Sequence, residues 1–284
     1  MSASDKPSTG ERPDLRRVSG PLVLVGAGKM GSALLDGWLR AGLDAKNVTV
    51  IEPEPSSLLS ALAARGMRLS PDGDGVSPAA AIVIAVKPQI AAAVVPTLVP
   101  MTEPSTLVVS IMAGRTLQFL SQTLNTPCAL VRAMPNTPAA IGRGITVAVA
   151  QGASHAQREL AHSLLAATGT VAWVEDEALM DAVTAVSGSG PAYVFLLAEA
   201  LAQAGIAAGL PADLAEKLGR ETVAGAGELL HRSDLDAATL RQNVTSPGGT
   251  TAAALDVLMG QNGLVPLMKK AIAAATERSR KLAG

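Results

Sequence analysis

At 284 residues the chain exceeds what one small core needs, and ordinary domain sizes point to two domains. Its 23 basic and 24 acidic residues balance to a net charge of −1, which leaves no positive excess for phosphate neutralisation and argues against a nucleic-acid partner. The single cysteine, Cys128, excludes an internal disulfide and a cysteine-cluster metal site, and it fits a reducing, cytoplasmic setting.

Residues 1–19 are polar, lack the apolar stretch of a secretory signal, and are expected to form a disordered tail. From there to residue 175, short β-branched runs alternate with helical stretches. The runs 21–26, 47–52, 81–86, 106–112, 128–134 and 145–150 are strand-like, and 32–42 and 56–66 are helical. The early strands are continuously apolar, as strands covered on both faces must be. This alternation predicts an α/β fold, a doubly wound Rossmann-type parallel sheet over residues 20–175.

Beyond residue 175 the strand signal stops, and residues 176–284 are expected to form an all-helical domain. Pro191 and Pro211 suit first helical positions, Ser233 is placed to cap the segment 234–243, and the run 264–282 closes the chain. The segment 191–209 is apolar nearly all round and must be covered on every side. A domain of this size cannot do that alone, which predicts a dimer with interlocked helices. The same segment is the chain's nearest approach to a membrane span, but Glu199, Gly205 and Gly209 favour a covered helix, and no membrane association is expected.

The first strand runs into Val25, Gly26, Ala27, Gly28, Lys29, Met30 and Gly31. Gly26 suits a tight turn, Gly28 lets a pyrophosphate approach the backbone, and Gly31 lets the next helix pack closely on the sheet. A glycine pattern is informative only in context. Here it follows a strand, opens a helix, and precedes an acid at the end of the next strand, which points to a dinucleotide cofactor, NADH or NADPH. Glu52, at that strand end, and Glu54 can accept bonds from the adenosine ribose, whereas Ser56 could hold a phosphate at a helix start; solvated loop acids remain the alternative. Further along, Ala85, Val86, Lys87 and Pro88, then Met112 and Ala113, then Asn136 all follow strand ends, where open α/β sheets bind ligands. They are candidates for the nicotinamide half, with a purely structural turn role open for Lys87 and Asn136.

In the helical half, SPGGTT (246–251) makes a sharp turn whose N–H groups and following helix dipole suit a carboxylate. A Gly-Gly turn with a Thr helix cap is the plainer reading. The histidines, His155, His162 and His231, fall in no motif and are read as ordinary helix residues; no metal site is expected.

The stretch TLRQNVTSPGGTTAAALDVL (239–258), together with AVKP (85–88), RAMPNTP (132–138) and AVSGSGPAY (185–193), resembles the pyrroline-5-carboxylate reductase family. That likeness runs from about residue 21 to the end of the chain. It implies a dinucleotide domain, a helical domain that dimerises by intertwining and often assembles into larger rings, and reduction of 1-pyrroline-5-carboxylate to proline. It also implies site roles: Thr251 beside the imine nitrogen as the catalytic residue, Ser246, Gly249 and Thr250 on the substrate carboxylate, Asn243 near the nicotinamide, and Glu177 near substrate. Two rivals share parts of the pattern. A β-hydroxyacid dehydrogenase or imine reductase of the same build would want a catalytic Lys or Asp on the helix 191–209, which offers only Glu199. A dinucleotide sensor without turnover would have no use for the SPGGTT turn.

Overall fold

The computed structural model describes residues 13–18, 20–76 and 78–283. They form two compact units, one comprising the chain through Gly188 with its end from Ser279, the other Ser189–Arg278. The change of sequence pattern at residue 175 thus precedes the boundary between the compact units at 188.

The first unit is built on an eight-stranded sheet: β1 (Leu22–Val25), β2 (Val48–Ile51), β3 (Arg68–Ser70), β4 (Ala81–Ile84), β5 (Leu107–Ser110), β6 (Ala129–Met134), β7 (Gly144–Gln151) and β8 (Gly169–Trp173). Their order is β3-β2-β1-β4-β5-β6-β7-β8. The strands β1 to β6 run parallel in the order 3-2-1-4-5-6 of a dinucleotide-binding sheet. The sheet is parallel as expected except at β7, which returns antiparallel to β6 and is joined in parallel by β8. The strands β3 and β8 are additions that the apolar runs do not announce. Both lie at sheet edges, where half-exposed residues suffice.

Successive side chains of a strand point to opposite faces, and β1 shows the result. Leu22 and Leu24 join one core cluster while Val23 and Val25 join the other. The helices α1 (Lys29–Arg40), α2 (Ser57–Ala63), α3 (Ala91–Val94), α4 (Leu117–Leu124) and α5 (His155–Ala166) cover the two faces. On the first face Leu34, Leu35 and Trp38 of α1 meet Leu164 and Leu165 of α5. The buried Trp38 indole donates to the Leu164 carbonyl at 2.8 Å, so its polar atom carries no desolvation penalty. The other face carries Ala91, Val95, Leu98, Leu117 and Leu120.

Part of the expected disordered tail is ordered. Leu15 is 1% exposed and lies in the core. Its N–H reaches the Ala41 carbonyl, and Asp14 caps the short turn Leu15–Arg17. Leu15, with Val18 packed against the same core, supplies the driving force. Residues 1–12 and 19 of the expected tail lie outside the described residues.

A short helix, α6 (Met180–Val183), and a π-helical turn, Thr184–Gly188, end the first unit. The second unit holds α7 (Gly190–Ala207), α8 (Ala212–Arg232), α9 (Ala237–Asn243), α10 (Thr250–Leu258) and α11 (Leu264–Ala283), the last running on past Arg278. The cap of α9 is Asp236, whose carboxylate accepts the Thr239 N–H. Ser233, the expected cap, instead ends α8, with its hydroxyl accepting the Leu235 N–H. Within this unit α7 and α8 pack so closely that a side chain at Gly219 would strike the Ala198 carbonyl. The remaining faces of α7 are not covered within one chain: Phe195 is 63% and Leu196 62% exposed. The continuous helical run Glu177–Ala207, 31 residues, has the length and composition of a membrane span, more than the sequence reading allowed.

Candidate active site

The glycine loop joins β1 to α1. Gly26 sits at φ +88, and its N–H donates to Ile51, which ties the loop to β2. A Cβ at Gly31 would collide with the Gly26 carbonyl, so the first turn of α1 can pass under the loop only without a side chain there. At Gly28 the opposite holds: a Cβ would meet nothing within 4 Å. The open side of Gly28, at the N-terminus of α1, is where a pyrophosphate can lie against backbone, so the loop fits the expected cofactor. Lys29 is exposed beside it, Met30 and Ala27 are partly exposed, and Val25 is buried and contributes backbone alone.

Glu52 is bound into this loop. One carboxylate oxygen accepts the Ala27 N–H at 2.7 Å and the other the Glu54 N–H at 3.3 Å. Glu54 itself is exposed, and Ser56 caps α2, its hydroxyl accepting the Leu59 N–H. The acid at the end of the second strand is therefore held at the loop rather than left to wander in solvent.

Three further loops leave the carboxyl ends of β4, β5 and β6. Ala85 and Val86 are half-buried, Lys87 is exposed, and Pro88 opens a short 3-10 turn. Ala113 is exposed, whereas Met112 is 2% exposed with its side chain in the core, so Met112 can offer a ligand only backbone. Asn136 accepts the Ile145 N–H through Oδ1 at 2.9 Å. That fixes the side-chain orientation, because a backbone donor requires the oxygen, and leaves Nδ2 to donate elsewhere.

Two residues tie these loops together, and the first of them, Arg115, falls in none of the motifs. Arg115 donates from Nη2 and Nε to the Pro88 carbonyl, at 2.8 and 3.1 Å. Glu177, which the resemblance put near substrate, accepts through Oε1 from the Leu117 N–H at 2.8 Å and from Arg132 Nη1 at 2.9 Å. The Arg132 side chain is 6% exposed and that of Glu177 27%, so the pair is largely desolvated and belongs to the framework of the first unit.

In the second unit, the SPGGTT segment turns between α9 and α10 as expected. Gly248 is at φ +70, and the Gly249 N–H closes the turn on the Ser246 carbonyl at 3.1 Å. A Cβ at Gly249 would meet the Ser246 hydroxyl at 2.8 Å. Gly249 then caps α10, which starts with Thr250 and Thr251, so the first N–H groups of that helix lack intrahelical acceptors. Ser246 and Thr250 are exposed, Thr251 is half-buried, and Asn243 ends α9 exposed to solvent.

Residues 177–282 match the family model described as pyrroline-5-carboxylate reductase dimerisation. The pyrroline-5-carboxylate reductase of Pseudomonas aeruginosa is 39% identical, over 92% of this chain and 96% of its own length. The chain belongs to the pyrroline-5-carboxylate reductase family. Residues 21–114 match a second model, described as NADP oxidoreductase coenzyme F420-dependent, over the part that carries the glycine loop. Among solved structures, a pyrroline-5-carboxylate reductase from Coxiella burnetii is 33% identical with a TM-score of 0.86, covering 96% of this chain and 100% of its own. That of Plasmodium falciparum, with NADP bound, is 30% identical with a TM-score of 0.77 over 93% and 98%. For a reductase of this family, the match to a dimerisation domain gives the bare apolar faces of α7 a partner of their own kind.

Proposed function

We propose that this reductase transfers a hydride from NAD(P)H to the C=N bond of 1-pyrroline-5-carboxylate, forming L-proline in the last step of its biosynthesis. The observation that carries the reading is the joint presence in one chain of an open glycine loop at Gly28 and an anion-suited turn at 246–251. Bound NAD(P)H would supply the hydride to the imine carbon, and the ring nitrogen enters already protonated from solvent, so hydride addition completes the amine. The loop 25–31 holds the pyrophosphate, Glu52 and Glu54 meet the adenosine ribose, and Ser56 lies at the neighbouring helix start. Ala85 to Pro88, the backbone of Met112, Ala113 and the Asn136 amide serve the nicotinamide half, to which Asn243 is also assigned.

The substrate carboxylate is assigned to Ser246, Gly249 and Thr250, at a turn where the Ser246 hydroxyl is exposed and the Thr250 N–H lies at the positive end of the α10 dipole. The Thr251 hydroxyl bonds the ring nitrogen and steadies the proton there. Because an iminium is already electrophilic, holding the reactants in line supplies much of the rate. Glu177 is assigned to the framework first, since its Oε1 already serves two donors; only Oε2 is left for substrate.

The protein acts as a homo-oligomer through its C-terminal helices, assembled further into a ring, in the cytoplasm; the exposed apolar faces of α7 support the first of these. The test is the oxidation of NADH and of NADPH followed with and without pyrroline-5-carboxylate. Turnover only with the imine is the expected result. Tight cofactor binding without turnover would favour the sensor.

A further inference from the structure

The loops after β4 and β5 are two of the three that the proposed function sets against the nicotinamide, and Arg115 is the side chain that joins them. It stands just beyond β5, at the start of the turn into α4, and reaches back to the carbonyl of Pro88, the first residue of the 3-10 turn after β4. The same carbonyl also accepts the Ala91 N–H, so one oxygen anchors both the 3-10 turn and the clasp. Below the guanidinium lies the Phe119 ring, with its centroid 4.9 Å from Arg115 Cζ. A planar cation stacked on a ring and forked onto an oxygen has little freedom left. On its far side the same loop is fixed again, through Leu117 N–H to Glu177 and on to Arg132 within β6. A chain of bonds therefore runs from the turn after β4, across the segment after β5, to β6, and Arg115 is its outermost link.

We infer that Arg115 is a positioning residue for the nicotinamide half of the cofactor, setting the separation of the Lys87–Pro88 and Met112–Ala113 segments. The inference rests on the proposed dinucleotide reading. It also makes a division that a general structural role would not: Glu52 holds Ala27, Gly26 is bonded to β2, and Val25 accepts the Ala85 N–H ahead of Lys87–Pro88, and none of these bonds is made by Arg115. Loosening the clasp should weaken the grip on the nicotinamide end and leave the adenosine end alone.

The test compares NADH with ADP-ribose, which lacks the nicotinamide, as ligands of the native protein, Arg115→Met and Arg115→Lys. Arg115→Met keeps the aliphatic stem over Phe119 but has no donor. Its NADH affinity should fall about tenfold, the value of one charge-assisted bond, while ADP-ribose affinity stays within about twofold. In turnover, kcat should fall about 10- to 100-fold, as expected for a misplaced reactant, with the KM for imine nearly unchanged. Arg115→Lys, with one donor, should recover part of both losses. Equal weakening of NADH and ADP-ribose would reduce Arg115 to a fold-stabilising residue and overturn the inference, as would an Arg115→Met protein with native NADH affinity. Binding is measured without imine, so an absence of turnover in the native protein would count against the proposed reaction and not against Arg115. Native protein that bound neither ligand would remove the dinucleotide reading and the inference with it.

Discussion

The Glu52 carboxylate accepts the N–H of Ala27 at 2.7 Å, so the acid at the end of β2 and the glycine loop after β1 are one bonded unit. A carboxylate fixed in this way cannot swing aside for a second anion. A phosphate of nearly two charges about 5 Å away is opposed by about 1–3 kcal/mol at an effective dielectric of roughly 80–40.

NADH should therefore serve this enzyme at least as well as NADPH, measured as kcat/KM. Glu52→Gln separates charge from geometry, because its amide oxygen can still accept the Ala27 N–H. It should raise the NADPH-to-NADH ratio about tenfold, the equivalent of about 1.4 kcal/mol. Glu52→Ala removes the anchor as well and should weaken both cofactors. A native preference for NADPH above tenfold would show that the carboxylate does not face the ribose.

Thr251→Ala should lower kcat by about 10- to 150-fold, the rate equivalent of losing a bond worth about 1–3 kcal/mol. Cofactor affinity should be nearly intact, since Thr251 lies in the helical unit on the turn assigned to substrate. Thr250→Ala should cost less, because position 250 is assigned a backbone contact. Full activity in Thr251→Ala would remove it from the imine nitrogen.

Two glycines of one loop should fail in different ways. Gly31→Ala drives a methyl into the Gly26 carbonyl and should destabilise the first unit by about 1–3 kcal/mol, seen as a lowered Tm. Gly28→Ala meets no protein atom, so the protein should keep its Tm and lose cofactor affinity instead. Equal affinity in Gly28→Ala and native protein would place the pyrophosphate elsewhere.

Glu177→Gln tests framework against substrate contact. It leaves the 6%-exposed Arg132 side chain without its counter-charge, which costs about 3–5 kcal/mol for a fully buried pair and less here, with Glu177 27% exposed. Thermal unfolding should register the loss with the KM for imine nearly unchanged. A raised KM at native Tm would return Glu177 to the substrate.

The central sheet could be read from sequence because its strands are apolar on both faces, as in VTVI of β2 and AIVI of β4. Edge strands lack that mark. The run RLS of β3 is too short, and GTVAW of β8 alternates partial and full exposure and begins with glycine. Local rules also misplaced one cap: Ser233 and Asp236 are both good candidates, and the choice falls to Asp236 because α8 extends to Arg232. The glycine loop and the SPGGTT turn were legible because each is a contiguous run with a backbone reason for every glycine. The clasp of Arg115 was not, and Glu177 entered only through the resemblance and not as a framework residue, since the partners that give them meaning lie 27, 45 and 60 residues away.

The sealed indole of Trp38, bonded to Leu164, has a spectroscopic consequence. The chain's two tryptophans are Trp38 and Trp173, and both belong to the dinucleotide unit. The helical unit has no tryptophan, and the chain's one tyrosine, Tyr193, lies there. Excited at the red edge of indole absorption, the protein's own emission reports on the sheet and is blind to α7–α10. Subunit dissociation that left the sheet intact would be silent in such a trace and visible in far-ultraviolet circular dichroism only if those helices melted. Melting curves that diverge between the two methods would then separate the loss of the helical unit from the loss of the sheet, with no label attached.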